Sequence, residues 1–363
     1  MKRFTFIMVF LMLGLVSLVS ADEPMGVMAN LNIGSVQFIN PADNSVTPPL
    51  LVGELGPRSG GLLDVVITAD GKTAIVSNFG ASSVYFIDIS GGFNAVPTVK
   101  GSMFTSLFAE DMALTPDEKY LLVTDGGLAS QVATIKMSDL SVRFTNLGAK
   151  DAQAVAVTPD GQLALFADYL DGSVHSYWLN DGVLTYKETQ LIRPDWPVNV
   201  AISPDGKTVI VPSAFRPVAS MFLIDSNHNL VYHGEIPLPS RGSQSCVFSK
   251  DGTKAYLLVN GNFGKGTLVA VLNVTAPGWV SPSGIVIQVT PTRGTGQFFG
   301  VDTIAMDTSG NYLYVTNPTS FGVIAGFSVL DLTTNTEVGL FPATGIPTGI
   351  AFTNVPSKDP MEQ

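Results

Sequence analysis

Two sets of oxygen-bearing side chains and one set of arginines stand out as chemistry. Asp70, Asp117, Asp160, Asp205 and Asp251 recur in strings of the form TPDG or SKDG, and Ser309 takes the same place in DTSG. An Asp beside Gly after Thr or Ser is turn chemistry, because its carboxylate accepts nearby N–H groups. These aspartates are therefore read as structural. A second set stands one short strand earlier in the same strings: Asp64, Asp111, Asn199, Ser245 and Thr303, preceded by Glu110, Gln153, Gln244 and Asp302. Oxygen ligands converging from several strands suit a hard cation. Asp64, Asp111, Asn199 and Asp302 are the candidate ligands for Ca²⁺ or Mg²⁺, and a hydrated polar pore is the plainer alternative. Histidine is scarce. His175, His228 and His233 fall outside the loops that carry the other polar groups, so a Ser-His-Asp triad or a His general base is unsupported. No Walker loop, dinucleotide fingerprint or haem-attachment motif is present.

The elements that must position these residues repeat. The strings VVITADGKTAIVSN, MALTPDEKYLLVTD, VAVTPDGQLALFAD, VAISPDGKTVIVPS, CVFSKDGTKAYLLVN and IAMDTSGNYLYVTN follow one another at a period of about 45 residues. Each unit holds four alternating apolar runs; in the fourth they are NVAIS, TVIVP, SMFLID and LVYHGEI. A period of this length with four strands per unit predicts an all-β fold, a β-propeller with four-stranded antiparallel blades. Residues 25–46 read as the last three strands of a blade, and residues 347–354 as its missing first strand. Joining them completes a seventh blade and closes the ring by pairing the N- and C-terminal strands, which leaves no open edge. Residues 276–299 read as a loop insertion.

Such a ring sorts the loops by face. The TPDG turns lie on the bottom. Loops entering the innermost strands, and those between second and third strands, lie on the top. Arg58, Arg193, Arg241 and Arg293 fall in the first class of top loop and Arg216 in the second; past the leader, only Arg143 lies elsewhere. Arginine forks suit carboxylate, phosphate or sulfate. Arg58, Arg193, Arg241 and Arg293, with Trp196 as an aromatic face, form the candidate ligand-binding set. Glu54, Asp151 and Asp195 are near enough in sequence to neutralise some of them.

The remaining composition sets bounds. Lys2 and Arg3 precede an apolar run to Val19, and Val19-Ser20-Ala21 is a small-residue cleavage site. Residues 1–21 are predicted to be a signal peptide, 22–355 a single propeller domain and 356–363 a mobile tail. The expected location is secreted or periplasmic, with no membrane span after cleavage. The formal net charge is −11, and loss of the leader makes the chain more acidic still. Nucleic acid is a poor partner for such a surface. The single cysteine, Cys246, permits no intramolecular disulfide.

The TPDG-type turns, the literal YVTN at 314–317 and the unit AIVSNFGASSVYFIDIS at 74–90 resemble the YVTN-type β-propeller repeat family, which overlaps with seven-bladed lactonase-like propellers. That resemblance implies the fold but spans enzymes, sensors and scaffolds. The lactonase-like members carry a histidine in a PRH-type motif, whereas Gly56-Pro57-Arg58-Ser59 keeps Pro and Arg and lacks it. Asn199 in PVNVAISPDG resembles a strand of gluconolactonase-type propellers in which an Asn ligates metal. The expectation is a ligand-binding or interaction module for a small anion, an acidic sugar or a cell-surface component. The alternative is a lactonase-like hydrolase, metal-assisted, acting on a lactone or sugar acid.

Overall fold

The computed structural model describes residues 24–53, 61–105, 108–127, 130–192, 196–260, 267–290, 303–317 and 325–353. They form seven small antiparallel sheets and no helix. The innermost strands of blades 2 to 7 are Leu62–Ile67, Ala109–Leu114, Ala152–Val157, Ala201–Ile202, Ser243–Phe248 and Ile304–Met306. Each touches the next, and the ring closes through Pro347–Phe352. This last strand is the innermost of blade 1 and pairs with Gly26–Asn30, as the sequence predicts. Met25 N donates to Thr353 Oγ1, and Thr353 N to Met25 O, both at 2.9 Å. The molecule is a seven-bladed β-propeller. The predicted signal peptide, residues 1–21, and the predicted tail, residues 356–363, lie outside the described residues, among which no helix is long and apolar enough to cross a membrane.

Residues 276–288, expected as loop, instead lengthen blade 6. Its third and fourth strands, Thr267–Ala276 and Trp279–Gln288, join through a tight Pro277-Gly278 turn with Gly278 at φ +73°. The core lies between blades. Leu163, Leu165 and Val174 of blade 4 pack on Val209, Val211 and Phe222 of blade 5, all fully or almost fully buried.

On the bottom, each TPDG turn is wired alike. Thr158 Oγ1 donates to Asp160 Oδ1 at 2.6 Å, Gln162 N donates to the same oxygen at 3.0 Å, and Leu163 N returns to Thr158 Oγ1. In blade 7 the two roles are exchanged: Ser309 Oγ donates to Asp307 Oδ2 at 2.6 Å, and Tyr312 N to Asp307 Oδ1. The turns also interlock. Gly206 has φ +73°, where glycine is favoured, and a Cβ there would stand 3.3 Å from Pro159 Cδ of the preceding blade. Gly161 faces Pro116, and Gly252 faces Pro204, in the same way. Between blades 2 and 3 both partners change together. Ala69 replaces the proline and so has an N–H; Glu118 replaces the glycine, keeps φ +54°, and accepts that N–H with its carboxylate.

Candidate functional site

The top end of the central channel is built by irregularity in the innermost strands. In blade 3 Met112 pairs with Val123 and Ala109 with Asp125, so Glu110 and Asp111 together oppose Thr124 alone. In blade 2, Leu63 and Asp64 oppose Ser77. Gln153 is the extra residue of blade 4 and Gln244 that of blade 6. A bulge re-aims side chains off the regular alternation, and here the bulge residues line one cavity. Leu63, Asp64, Glu110, Asp111, Gln153 and Gln244 face it with Val198, Asn199, Ser245 and Thr303, around a space of about 50 Å³.

One side of this mouth is carboxylic. Asp64 Oδ2 accepts Met112 N at 3.0 Å and Asp111 Oδ2 accepts Val155 N at 2.7 Å, so each carboxyl reaches forward to cap the next blade. Burial raises the pKa of both above the ordinary carboxylate range, and the negative charge of Asp64 pushes Asp111 further. Glu110 is pushed up to about 8 by burial and by the charges of Asp151 and Asp125. Asp151 rises to about 6, again chiefly through burial, against a bond from Gln153 Nε2 that favours its ionised form. At neutral pH Glu110 is therefore largely a neutral acid with a proton to donate.

The other side is amide and hydroxyl. Ser245 Oγ accepts Ile304 N at 3.4 Å, and Thr303 Oγ1 donates to Thr348 O at 2.8 Å, again one blade onward. Ala154 cannot continue this capping, and Asn199 does not: its buried Oδ1 has no hydrogen-bond partner. Gln244 is 3% exposed, and neither Nε2 nor Oε1 has a partner. Buried polar atoms are nearly always bonded, so each exception points to a missing partner.

Asp151 joins the mouth to an aromatic ledge. Its backbone oxygen accepts Tyr169 N at 2.8 Å. The Tyr169 ring lies 6.5 Å from Phe215, whose edge meets Trp196 at 5.1 Å. Trp196 and Phe215 are exposed at 37% and 38%, enough for a ligand to stack on them.

Of the predicted metal ligands, Asp64, Asp111 and Asn199 line the one cavity, and Asp302 lies outside the described residues. Among those residues no three His, Cys, Asp or Glu side chains gather as a metal cluster. Asn199 Oδ1 and the second oxygens of Asp64 and Asp111 are the donors a hard cation would use. Of the arginines, Arg241 is exposed at the top, while Arg58, Arg193 and Arg293 lie outside the described residues. Arg216 forms a forked pair with Glu235 at 2.7 and 3.1 Å. His175 is buried in blade 4, held by Ser173, Thr189 and Asp168. Glu110 and Gln244, which the sequence places one position before the aligned polar residues but outside the predicted ligand sets, are the strongest groups on the cavity.

No protein-family model matches the chain, and no curated protein matches it. Solved structures do. A functionally unknown protein from Desulfotomaculum acetoxidans superposes with TM-score 0.75 at 17% identity, over 91% of this chain and 98% of the other. A candidate 6-phosphogluconolactonase from Bacteroides fragilis gives 0.71 at 14% identity, over 92% and 99%. The periplasmic gluconolactonase of Pseudomonas aeruginosa gives 0.69 at 16% identity, over 92% and 100%. At such identities the shared property is the fold.

Proposed function

We propose that this propeller is a secreted or periplasmic binding module that takes a small acidic sugar, or its lactone, at the top mouth of the channel. The observation that carries this reading is the convergence of unpartnered, buried polar groups from separate blades, Gln244 and Asn199, on a mouth that also holds Glu110. A ligand supplies what those atoms lack. Protonated Glu110 donates to a carbonyl or hydroxyl oxygen, Trp196 and Phe215 offer a face to a ring, and Arg58, Arg193, Arg241 and Arg293 hold the anionic end. The YVTN-type repeat and the leader are in keeping with it. Thermal-shift measurements against sugar acids, their lactones, dicarboxylates and phosphates test the reading. Sugar acids are expected to raise Tm, and Trp196→Ala to abolish the rise; no shift with any anion overturns it.

A second reading has its own support in the carboxyl cluster. Protonated Glu110 beside the Asp64–Asp111 pair resembles an acid and base set apart by environment, which suits hydrolysis of a lactone ester. Water adds to the carbonyl carbon, the ring C–O bond breaks, and the leaving alkoxide takes a proton. Ca²⁺ or Mg²⁺ held by Asp64, Asp111, Asn199 and Asp302 would polarise the carbonyl. Stoichiometric metal in the purified protein, lost with lactone-opening activity on EDTA treatment, is the expected result. Metal-free protein with no such activity overturns it.

A further inference from the structure

The binding reading leaves open which part of the ligand enters the channel, and Gln244 answers that. Its strand places a complete primary amide, 3% exposed, on the cavity wall with donor and acceptor both unbonded. The adjacent hydroxyls do not reach it: Ser245 Oγ accepts Ile304 N, and Thr303 Oγ1 donates to Thr348 O. Asn199 Oδ1, one blade away on the same cavity, adds an acceptor that needs a hydrogen. The unmet demand is therefore an acceptor for Gln244 Nε2, a donor for Gln244 Oε1 and a donor for Asn199 Oδ1. A hydroxyl next to a carbonyl or carboxyl oxygen supplies both kinds of group on neighbouring carbons.

Size restricts the choice further. One water occupies about 10–15 Å³ of such space. A cavity of about 50 Å³ thus admits a few non-hydrogen atoms and not a hexose ring. We propose that Gln244 is a specificity-determining residue that binds the 2-hydroxy-carbonyl end of the ligand inside the channel while the rest of the ligand stays on the aromatic ledge. The proposal rests on the binding reading above and specifies its ligand as a 2-hydroxy acid or 2-hydroxy lactone.

The experiment is isothermal titration of the wild-type protein and Gln244→Leu with D-gluconate and with 2-deoxy-D-gluconate. Wild type is expected to bind gluconate about tenfold or more tightly than the deoxy compound, because loss of the hydroxyl strands the amide again. Gln244→Leu is expected to erase that difference and to leave Tm unchanged or higher, since it removes a buried unbonded amide. Equal binding of both compounds by wild type overturns the proposal and leaves the binding module standing. So does discrimination retained in Gln244→Leu, which would mean that only water meets the amide. A lower Tm for Gln244→Leu overturns it by showing the amide bonded within the fold. Binding of neither compound to wild type overturns this inference and the sugar-acid reading together.

Discussion

The two ends of the propeller treat the same functional group in opposite ways. On the bottom, the carboxylates of Asp70, Asp160 and Asp251 accept bonds from the hydroxyls and N–H groups of their own turns, and their pKa values fall. Asp117 drops to about 2, through Thr115 and Lys119. At the top mouth, Glu110, Asp111, Asp64 and Asp151 are raised, with burial as the first cause in each. The bottom repeats one satisfied arrangement around the ring. The top abandons the repeat, bulges its strands and leaves buried amides unbonded. On the binding reading proposed above, a ligand completes these costly groups.

The sharpest way to break this comparison is Glu110→Gln. A carboxyl whose folded pKa is about 8, against an ordinary value of 4.5, stabilises the fold only while protonated. Its contribution is lost as pH rises between those values. The variant should therefore be more stable than wild type by about 4 kcal/mol at pH 8 and nearly equal to it at pH 4, read by urea denaturation. An equal effect at both pH values would show that Glu110 is not the titrating group.

Next in size is the bottom ring. Gly206→Ala forces a side chain into φ +73° against Pro159 and should cost about 1–2 kcal/mol. Gly148 also has positive φ but open space around it. Gly148→Ala should therefore lose less, and equal losses would mean that the interlock contributes nothing.

Asp160→Asn should cost about 0.5–1 kcal/mol at pH 7. Because the native pKa is lowered, this contribution is present above pH 4 and vanishes on acidification, the reverse of Glu110. Together the two ends place the stability maximum of the wild type near pH 5, and a maximum above pH 8 would contradict the contrast.

The smallest effect is a coupling. Ala69→Pro with Glu118→Gly restores the turn pair of the other blades and should be better than the sum of the single changes by about 0.5 kcal/mol in a double-mutant cycle.

The repeat was legible because its turns are local. Thr, Pro, Asp and Gly in one short string specify both a loop and its hydrogen bonds, and the terminal half-blades could be matched by the same pattern. The channel position of Asp64, Asp111 and Asn199 followed from alignment to those turns. The bulges did not, since an extra residue is visible only when two strands are set in register: nothing in AEDMAL says that Glu110 and Asp111 share one partner, Thr124. The unbonded state of Gln244 is equally invisible, because it depends on what neighbouring blades fail to offer. The lengthened hairpin of blade 6 reads as loop in the sequence because Pro277, Gly278, Pro282 and Gly284 interrupt it, and only the long pairing of Thr267–Ala276 with Trp279–Gln288 outweighs them.

The closing strand of blade 1 has a consequence in time. Pro347–Phe352 follows every other strand of the ring along the chain, yet it is the neighbour that Gly26–Asn30 requires. During synthesis the first blade therefore stays without its innermost strand until the six other blades have emerged, and the ring cannot shut before then.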